Sequence, residues 1–136
     1  MKRVPCVLIV DADILVRHPL AEYLRECGYR VVQASNTDEA RTLLTQRRRG
    51  FVIDVVLVDV NAPGGENAFA LATWIRASNS RVQVILAGTV DAAAEKAGDL
   101  CEDGPALSKP YDHQLLLERI RRLLAARDRA ERDGSI

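Results

Sequence analysis

Apolar residues are arranged along the chain in two alternating textures. Cys6–Val10 (CVLIV), Val31–Ala34, Val55–Val60 (VVLVDV), Val82–Ala87 (VQVILA) and the shorter Ala106–Ser108 are runs with almost no polar alternate. Such runs suit strands covered on both faces. Between them the spacing becomes helical. Leu20, Tyr23, Leu24 and Cys27 fall at i, i+3, i+4 and i+7, with Gly28 as a stop. Pro19 lacks a backbone donor and belongs near the first turn or at a kink of that helix. Asn36 with Glu39 resembles a capping box for a second helix, ending at Arg47, Arg48, Arg49 and Gly50. Phe69, Leu71, Trp74 and Ile75 mark a third apolar stripe, and Asp91–Ala97 a fourth, alanine-rich one. Asp112 caps a fifth helix, with Leu116, Ile120, Leu123 and Leu124 on one face and Leu117 outside it. Strands alternating with helices imply a parallel sheet joined by right-handed crossovers, a three-layer α/β sandwich of five strands and five helices.

Composition narrows the class. The chain has 136 residues, 48% hydrophobic and 28% charged, which fits one globular domain. Residues 1–126 are expected to form it, with 127–136 a frayed, charged tail. Nineteen Lys and Arg balance nineteen Asp and Glu, which argues against nucleic acid or an anionic membrane as partner. No apolar run approaches the ~18 residues of a membrane span, so a cytoplasmic location is expected. The three cysteines, Cys6, Cys27 and Cys101, show no CxxC pair. They are expected to be buried small hydrophobes, with neither a disulfide framework nor a zinc site.

In an open parallel sheet, ligands bind beyond the carboxyl ends of the strands. Three sets of polar residues end apolar runs: Asp11 and Asp13 after the first, Asp59 near the end of the third, and Lys109 after the fifth. Carboxylates gathered at one sheet edge need a counter-ion. Hard oxygen ligands of this kind suit Mg²⁺, and an ammonium could balance the remaining charge. The same cluster suits a carboxylate nucleophile attacking a phosphoryl group. Read singly, each aspartate is as well explained as a helix cap, and the lysine as a solvated loop residue.

From about Pro5 to Leu124 the chain resembles the receiver domains of two-component response regulators. The resemblance rests on Asp11 after the first strand, Asp59 followed by Pro63, and Lys109-Pro110, with Ala21–Ser35 similar to a receiver's first helix and second strand. It implies a flavodoxin-like (CheY-like) fold with strand order 2-1-3-4-5. It also implies phosphoryl transfer to Asp59 from a histidine kinase or phosphotransfer protein, and Lys109 on the acyl phosphate through a cis bond to Pro110. The implied Mg²⁺ ligands are Asp11, Asp59 and Asn61, with Asp13 as a candidate. Docking would use the first and fifth helices, and a homodimer either that face or the fourth-helix, fifth-strand, fifth-helix face. As the chain ends after the fifth helix, a single-domain regulator is expected, signalling by protein contact and not acting as an enzyme beyond its own phosphorylation and dephosphorylation.

Several positions depart from the family pattern. Ala12 stands where a second adjacent acid is usual, Ala87 where a Ser or Thr closes the fourth strand, and Ala106 where an aromatic accompanies it. Thr89 could supply the missing hydroxyl. The loop Pro63–Asn67 is one residue longer than the common pattern, and its two glycines are expected to add freedom. The thin fourth helix suggests a mobile or remodelled face. These departures leave a second reading, a pseudo-receiver acting as a phosphorylation-independent interaction module. A third reading takes Asp11-Ala12-Asp13 as the DxD of a haloacid-dehalogenase-like phosphatase, with Gly98, Asp99 and Asp103 as its late motif; it leaves Asp59-Pro63 and Lys109-Pro110 without roles.

Overall fold

Four of the apolar runs become parallel strands: β1 (Cys6–Val10), β2 (Arg30–Ala34), β3 (Val55–Asp59) and β4 (Gln83–Ala87). The computed structural model describes residues 4–46, 52–105 and 112–134. Over these residues the sheet has four strands in order β2-β1-β3-β4, so the expected order is met up to its fourth member. The expected fifth strand, Ala106–Ser108, lies outside the described residues, as do Lys109 and Pro110. β1 and β3 are the central strands, and β1 is buried along its whole length. That is why CVLIV has no polar alternate.

The helices are α1 (Ile14–Glu26), α2 (Thr37–Thr45), α3 (Ala68–Ser78), α4 (Val90–Glu102) and α5 (His113–Gly134). Their starts follow capping chemistry: the side chains of Asp13, Asn36, Asn67 and Thr89 accept backbone N–H bonds of α1 to α4, and Asp112 accepts from Gln114. Gly28 follows α1 at φ 99°, a conformation that favours glycine. Pro19 sits just past the first turn of α1, buried within the helix. α2 closes at Gln46; Arg47 to Gly50, where its end was expected, lie outside the described residues.

Two apolar layers flank the sheet, giving the expected three-layer sandwich. One layer joins Leu8, Val10, Val56 and Val58 to α2 and α3 through Ala40, Ala68, Leu71 and Ile75. The other joins Val7, Ile9 and Leu57 to α1, α4 and α5. A right-handed crossover continuing the sheet beyond β4 would place its helix beside α3. α4 instead packs beside α1. Arg121 of α5 pairs with Asp91 at the start of α4, whereas His113 at the start of α5 meets Gly98 further along α4. α4 and α5 therefore form an antiparallel hairpin on the α1 side, and α5 runs in the direction of the strands. β4, an outermost strand among the described residues, keeps Val84, Ile85 and Leu86 only partly buried.

This packing explains the alanines of α4. Ala93, Ala94, Ala97, Gly98, Leu100 and Cys101 are buried, so the helix is wedged between α1 and α5 instead of forming a thin, mobile face. Small side chains permit the close approach: a Cβ on Gly98 would lie 2.9 Å from the His113 Cβ. Two further contacts lock α4 to the turn that follows α1. The Tyr29 hydroxyl donates to the Leu100 carbonyl at 2.5 Å, and Cys27 forms a disulfide with Cys101 across 5.3 Å between Cα atoms. The disulfide corrects the expectation of three reduced cysteines; Cys6, buried in the opposite layer, takes no part in a disulfide.

Smaller corrections follow from the same packing. Leu117 is 7% exposed and belongs to the core, whereas Leu115 is 64% exposed. Phe69 is 58% exposed instead of completing the α3 stripe, and Trp74 lies under the Arg41 guanidinium at 4.2 Å. The segment from Arg127, expected to be a frayed tail, is helical through Gly134.

Candidate functional site

A pocket of about 300 Å³ opens at the carboxyl edge of the sheet, lined among others by Asp11, Asp13, Asp59, Asn61, Ala87, Thr89 and Arg127. β1 delivers Asp11 one residue after its last apolar position, and β3 delivers Asp59 as its own last residue. β1 and β3 are paired neighbours, so both acids reach one rim. Folding thus brings together Asp11, Asp13, Asp59 and Asn61. Lys109 lies outside the described residues.

Each acid has a defined partner. Asp11 Oδ1 accepts the Asp13 N–H at 2.9 Å, and Asp59 Oδ1 accepts the Asn61 N–H at 3.1 Å. These short turns hold each carboxylate through one of its oxygens. Asp13 is differently committed. Its Oδ1 accepts the Leu15 N–H at 3.0 Å as the cap of α1, and its Oδ2 accepts from Arg127 Nη1 at 2.8 Å. Of the two readings open for Asp13, the structure shows the cap. Burial, then the carboxylates of Asp59 and Asp13, push Asp11 up to about 6, against the Asp13 N–H and Arg17. Arg17 uses its guanidinium on the Asp11 carbonyl (2.9 Å) and Gln33 Oε1 (3.0 Å), so it braces the main chain behind the pocket.

Among the described residues no three His, Cys, Asp or Glu side chains form a ready metal cage. The donor set nevertheless fits Mg²⁺, which is commonly held by one or two carboxylates with the remaining places left to water and phosphate. Asp11 and Asp59, with Asn61 beside them, are the hard oxygen groups suited to it.

The β4 end is built as its sequence implies. Ala87 pairs with Asp59 across the sheet and presents only a methyl group. Thr89 lines the pocket as the cap of α4, its Oγ1 accepting the Ala92 N–H at 3.1 Å. That bond uses a lone pair and leaves the hydroxyl proton for another acceptor.

The β3–α3 loop is pinned, contrary to the freedom expected of its glycines. Thr37, fully buried, donates its hydroxyl to the Glu66 carbonyl (2.6 Å) and its N–H to the Pro63 carbonyl (2.9 Å). Gly65 N–H bonds Asp38 Oδ2 at 3.0 Å, and Arg41 pairs with Glu66. Gly64 holds φ 140°, and a Cβ there would lie 2.0 Å from Thr37 Oγ1.

From sequence, Arg127 reads as a solvated or interface cation of the fifth helix and not as a residue of this pocket. The signal was present: Leu116, Ile120 and Leu124 recur on one face of α5, and Arg127 is the next position of that stripe. The phosphatase alternative fails on placement, because Gly98 and Asp99 lie in the body of α4 and Asp103 beyond its end, away from the pocket.

The model of the response regulator receiver domain matches residues 7–121. The transcriptional regulatory protein AruR of Pseudomonas aeruginosa is 30% identical over 91% of this chain and 51% of its own length. The aerobic respiration control protein ArcA of Escherichia coli is 26% identical over 89% and 49%. The chain therefore spans about half the length of the curated relatives it matches. Among solved structures, a response regulator receiver protein from Pseudomonas putida is 27% identical over 90% of this chain and 99% of that one, with a TM-score of 0.56. A complex of the histidine kinase ThkA with the response regulator TrrA matches at 29% identity over 61% of this chain and 67% of that one, TM-score 0.53. With the family match extending across β1, β3 and the pocket acids, the chain belongs to the response regulator receiver domain family.

Proposed function

We propose that this receiver domain accepts a phosphoryl group on Asp59 from a histidine kinase or a phosphotransfer protein. The observation that carries the reading is the convergence of Asp11, Asp59 and Asn61 on one pocket at the carboxyl edge of β1 and β3. A carboxylate oxygen of Asp59 attacks the phosphorus of the donor's phosphohistidine. The P–N bond breaks as the P–O bond forms, and the departing imidazole takes up a proton. Water later attacks the same phosphorus and returns Asp59 with inorganic phosphate. Mg²⁺, when bound, neutralises charge on the phosphoryl oxygens. Asp11 and Asp59 with Asn61 are the groups that would hold it, and Thr89 has a hydroxyl proton to offer a phosphoryl oxygen in place of the one missing at Ala87. The family pattern assigns Lys109 to the acyl phosphate.

Partners follow from the family and from the surfaces. ThkA and TrrA form a complex of histidine kinase with response regulator, and a kinase is the partner proposed here. A docking surface built from α1 and α5 has α4 packed against both. The exposed positions of α4 include Asp91, Glu95, Lys96, Asp99 and Glu102, a polar face poorly suited to an apolar dimer contact. Among the described residues no helix is long and apolar enough to cross a membrane.

Incubation with acetyl phosphate and Mg²⁺, followed by intact-mass measurement, tests the proposal. The native chain should gain one phosphoryl group and Asp59→Asn none. No Asp59-dependent adduct with acetyl phosphate or a kinase donor would favour the phosphorylation-independent docking module.

A further inference from the structure

We propose that Thr37, the first residue of α2, is a positioning residue for the proposed Mg²⁺ site: its buried hydroxyl clamps the β3–α3 loop and so fixes Asn61 beside Asp59. The inference rests on the proposed function above and adds to it a residue that does not line the pocket.

Burial is the first argument. Among the described residues, Thr37 is the one Ser, Thr, Asn, Gln or charged side chain that is buried. Burying a hydroxyl is costly unless it is bonded, and an apolar side chain of the same shape would fill the space without that demand. The hydroxyls of Thr42 and Thr73 bond carbonyls four residues back in their own helices. Thr37 instead donates to the Glu66 carbonyl, 29 residues away, at 2.6 Å. Its hydroxyl therefore serves the loop and not α2.

The anchoring of the loop is the second. Where β3 ends, the sheet fixes the chain through the Val60 N–H on the Ala87 carbonyl at 3.1 Å. The N–H groups of Asn61 and Ala62 turn back onto Asp59, to its Oδ1 and its carbonyl, which shapes the turn without fixing its place. The start of α2 supplies the other anchor. The Thr37 N–H holds the Pro63 carbonyl at 2.9 Å, Asp38 Oδ2 accepts the Gly65 N–H at 3.0 Å, and the Thr37 hydroxyl holds Glu66. Asn61 thus lies between a sheet anchor and an α2 anchor. Gly64 allows the close seating, since a Cβ there would lie 2.0 Å from Thr37 Oγ1. Mg²⁺ demands near-ideal octahedral geometry, and ligands must be held to within about 0.5 Å, so a loop tethered at one end only would bind it less well.

The test is calorimetric titration of the full chain with Mg²⁺ alone, alongside urea midpoints. Thr37→Val removes the hydroxyl at nearly constant shape and should weaken Mg²⁺ binding about tenfold, as loss of a group supporting metal ligands does. Thr37→Ser keeps the hydroxyl and should restore binding to within about twofold of native. Ile75→Val, in the same apolar layer but in the last turn of α3, should lower the urea midpoint and leave Mg²⁺ affinity unchanged. Native-like Mg²⁺ affinity in Thr37→Val, or equal weakening in Ile75→Val, would overturn the inference. Failure of Thr37→Ser to restore binding would overturn it as well. A native chain that binds Mg²⁺ but takes no label on Asp59 from acetyl phosphate or a kinase donor would overturn the proposed function alone, whereas a native chain that binds no Mg²⁺ would overturn the inference and the metal's part in that function together.

Discussion

Asp11 sits in an unfavourable electrostatic setting, because burial and two neighbouring carboxylates act against its charge. Its folded-state value of about 6 lies above the ordinary 3.8, so between these values the folded chain binds more protons than the unfolded one. Stability in metal-free buffer should therefore fall as pH rises from about 4 to 6 and stay lowered above that. Asp11→Asn removes the charge, and after discounting for partial exposure it should stabilise the metal-free chain by about 1 kcal/mol at pH 7. Urea titrations at pH 4.5 and 7 measure this, and the variant should lose most of the pH dependence in that interval. Mg²⁺ should reverse the ranking at pH 7 by stabilising the native chain more than the variant. At the back of the pocket loop, Gly64→Ala combines strained φ with a contact at the buried Thr37 hydroxyl. It should cost about 2 kcal/mol or more in the same titration, whereas Gly65→Ala, whose Cβ would meet only the exposed Asp38 carboxylate at 3.0 Å, should cost less.

Local chemistry made most elements legible in the sequence. CVLIV, the Asn36 cap, the i, i+3, i+4, i+7 face of α1 and the Asp112 cap each produce the element they predict, because strand burial and capping are decided by residues near in sequence. α4 was misjudged because its alanines carry little apolar area themselves; their value lies in admitting α1 and α5 closely, which one helix's own pattern cannot show. The Cys27–Cys101 pair was hidden for the same reason: a separation of 74 residues has no local signature, and the pairing depends on which side of the sheet α4 takes. Closing a loop of that length restricts the unfolded chain by up to about 4 kcal/mol. Reduction with dithiothreitol, or Cys27→Ser, should lower the unfolding free energy by about 2 to 4 kcal/mol, and Cys6→Ser should leave the dependence on reductant intact. Equal urea midpoints with and without reductant would contradict the account of α4.

At the scale of the molecule, the family pattern foretold the rim that gathers Asp11 and Asp59, since a parallel sheet places the ends of its central strands together. It did not foretell the second half of the site. Three helices share one side of the sheet and two the other, and that layering carries α5 to the pocket in the direction that presents Arg127. Direction of a helix relative to a sheet is a property of long-range packing, and a stripe of leucines reads the same either way. The pocket consequently holds three carboxylates of different commitment: Asp13 tied to a cap and a guanidinium, Asp11 braced beneath Arg17, and Asp59 at the open end of β3. The most direct test is to locate the phosphoryl group among them by fragmentation mass spectrometry of the chain labelled with acetyl phosphate and Mg²⁺. The account predicts the group on the peptide fragment carrying Asp59 alone. Label on Asp11 or Asp13, or retained labelling in Asp59→Asn, would contradict it.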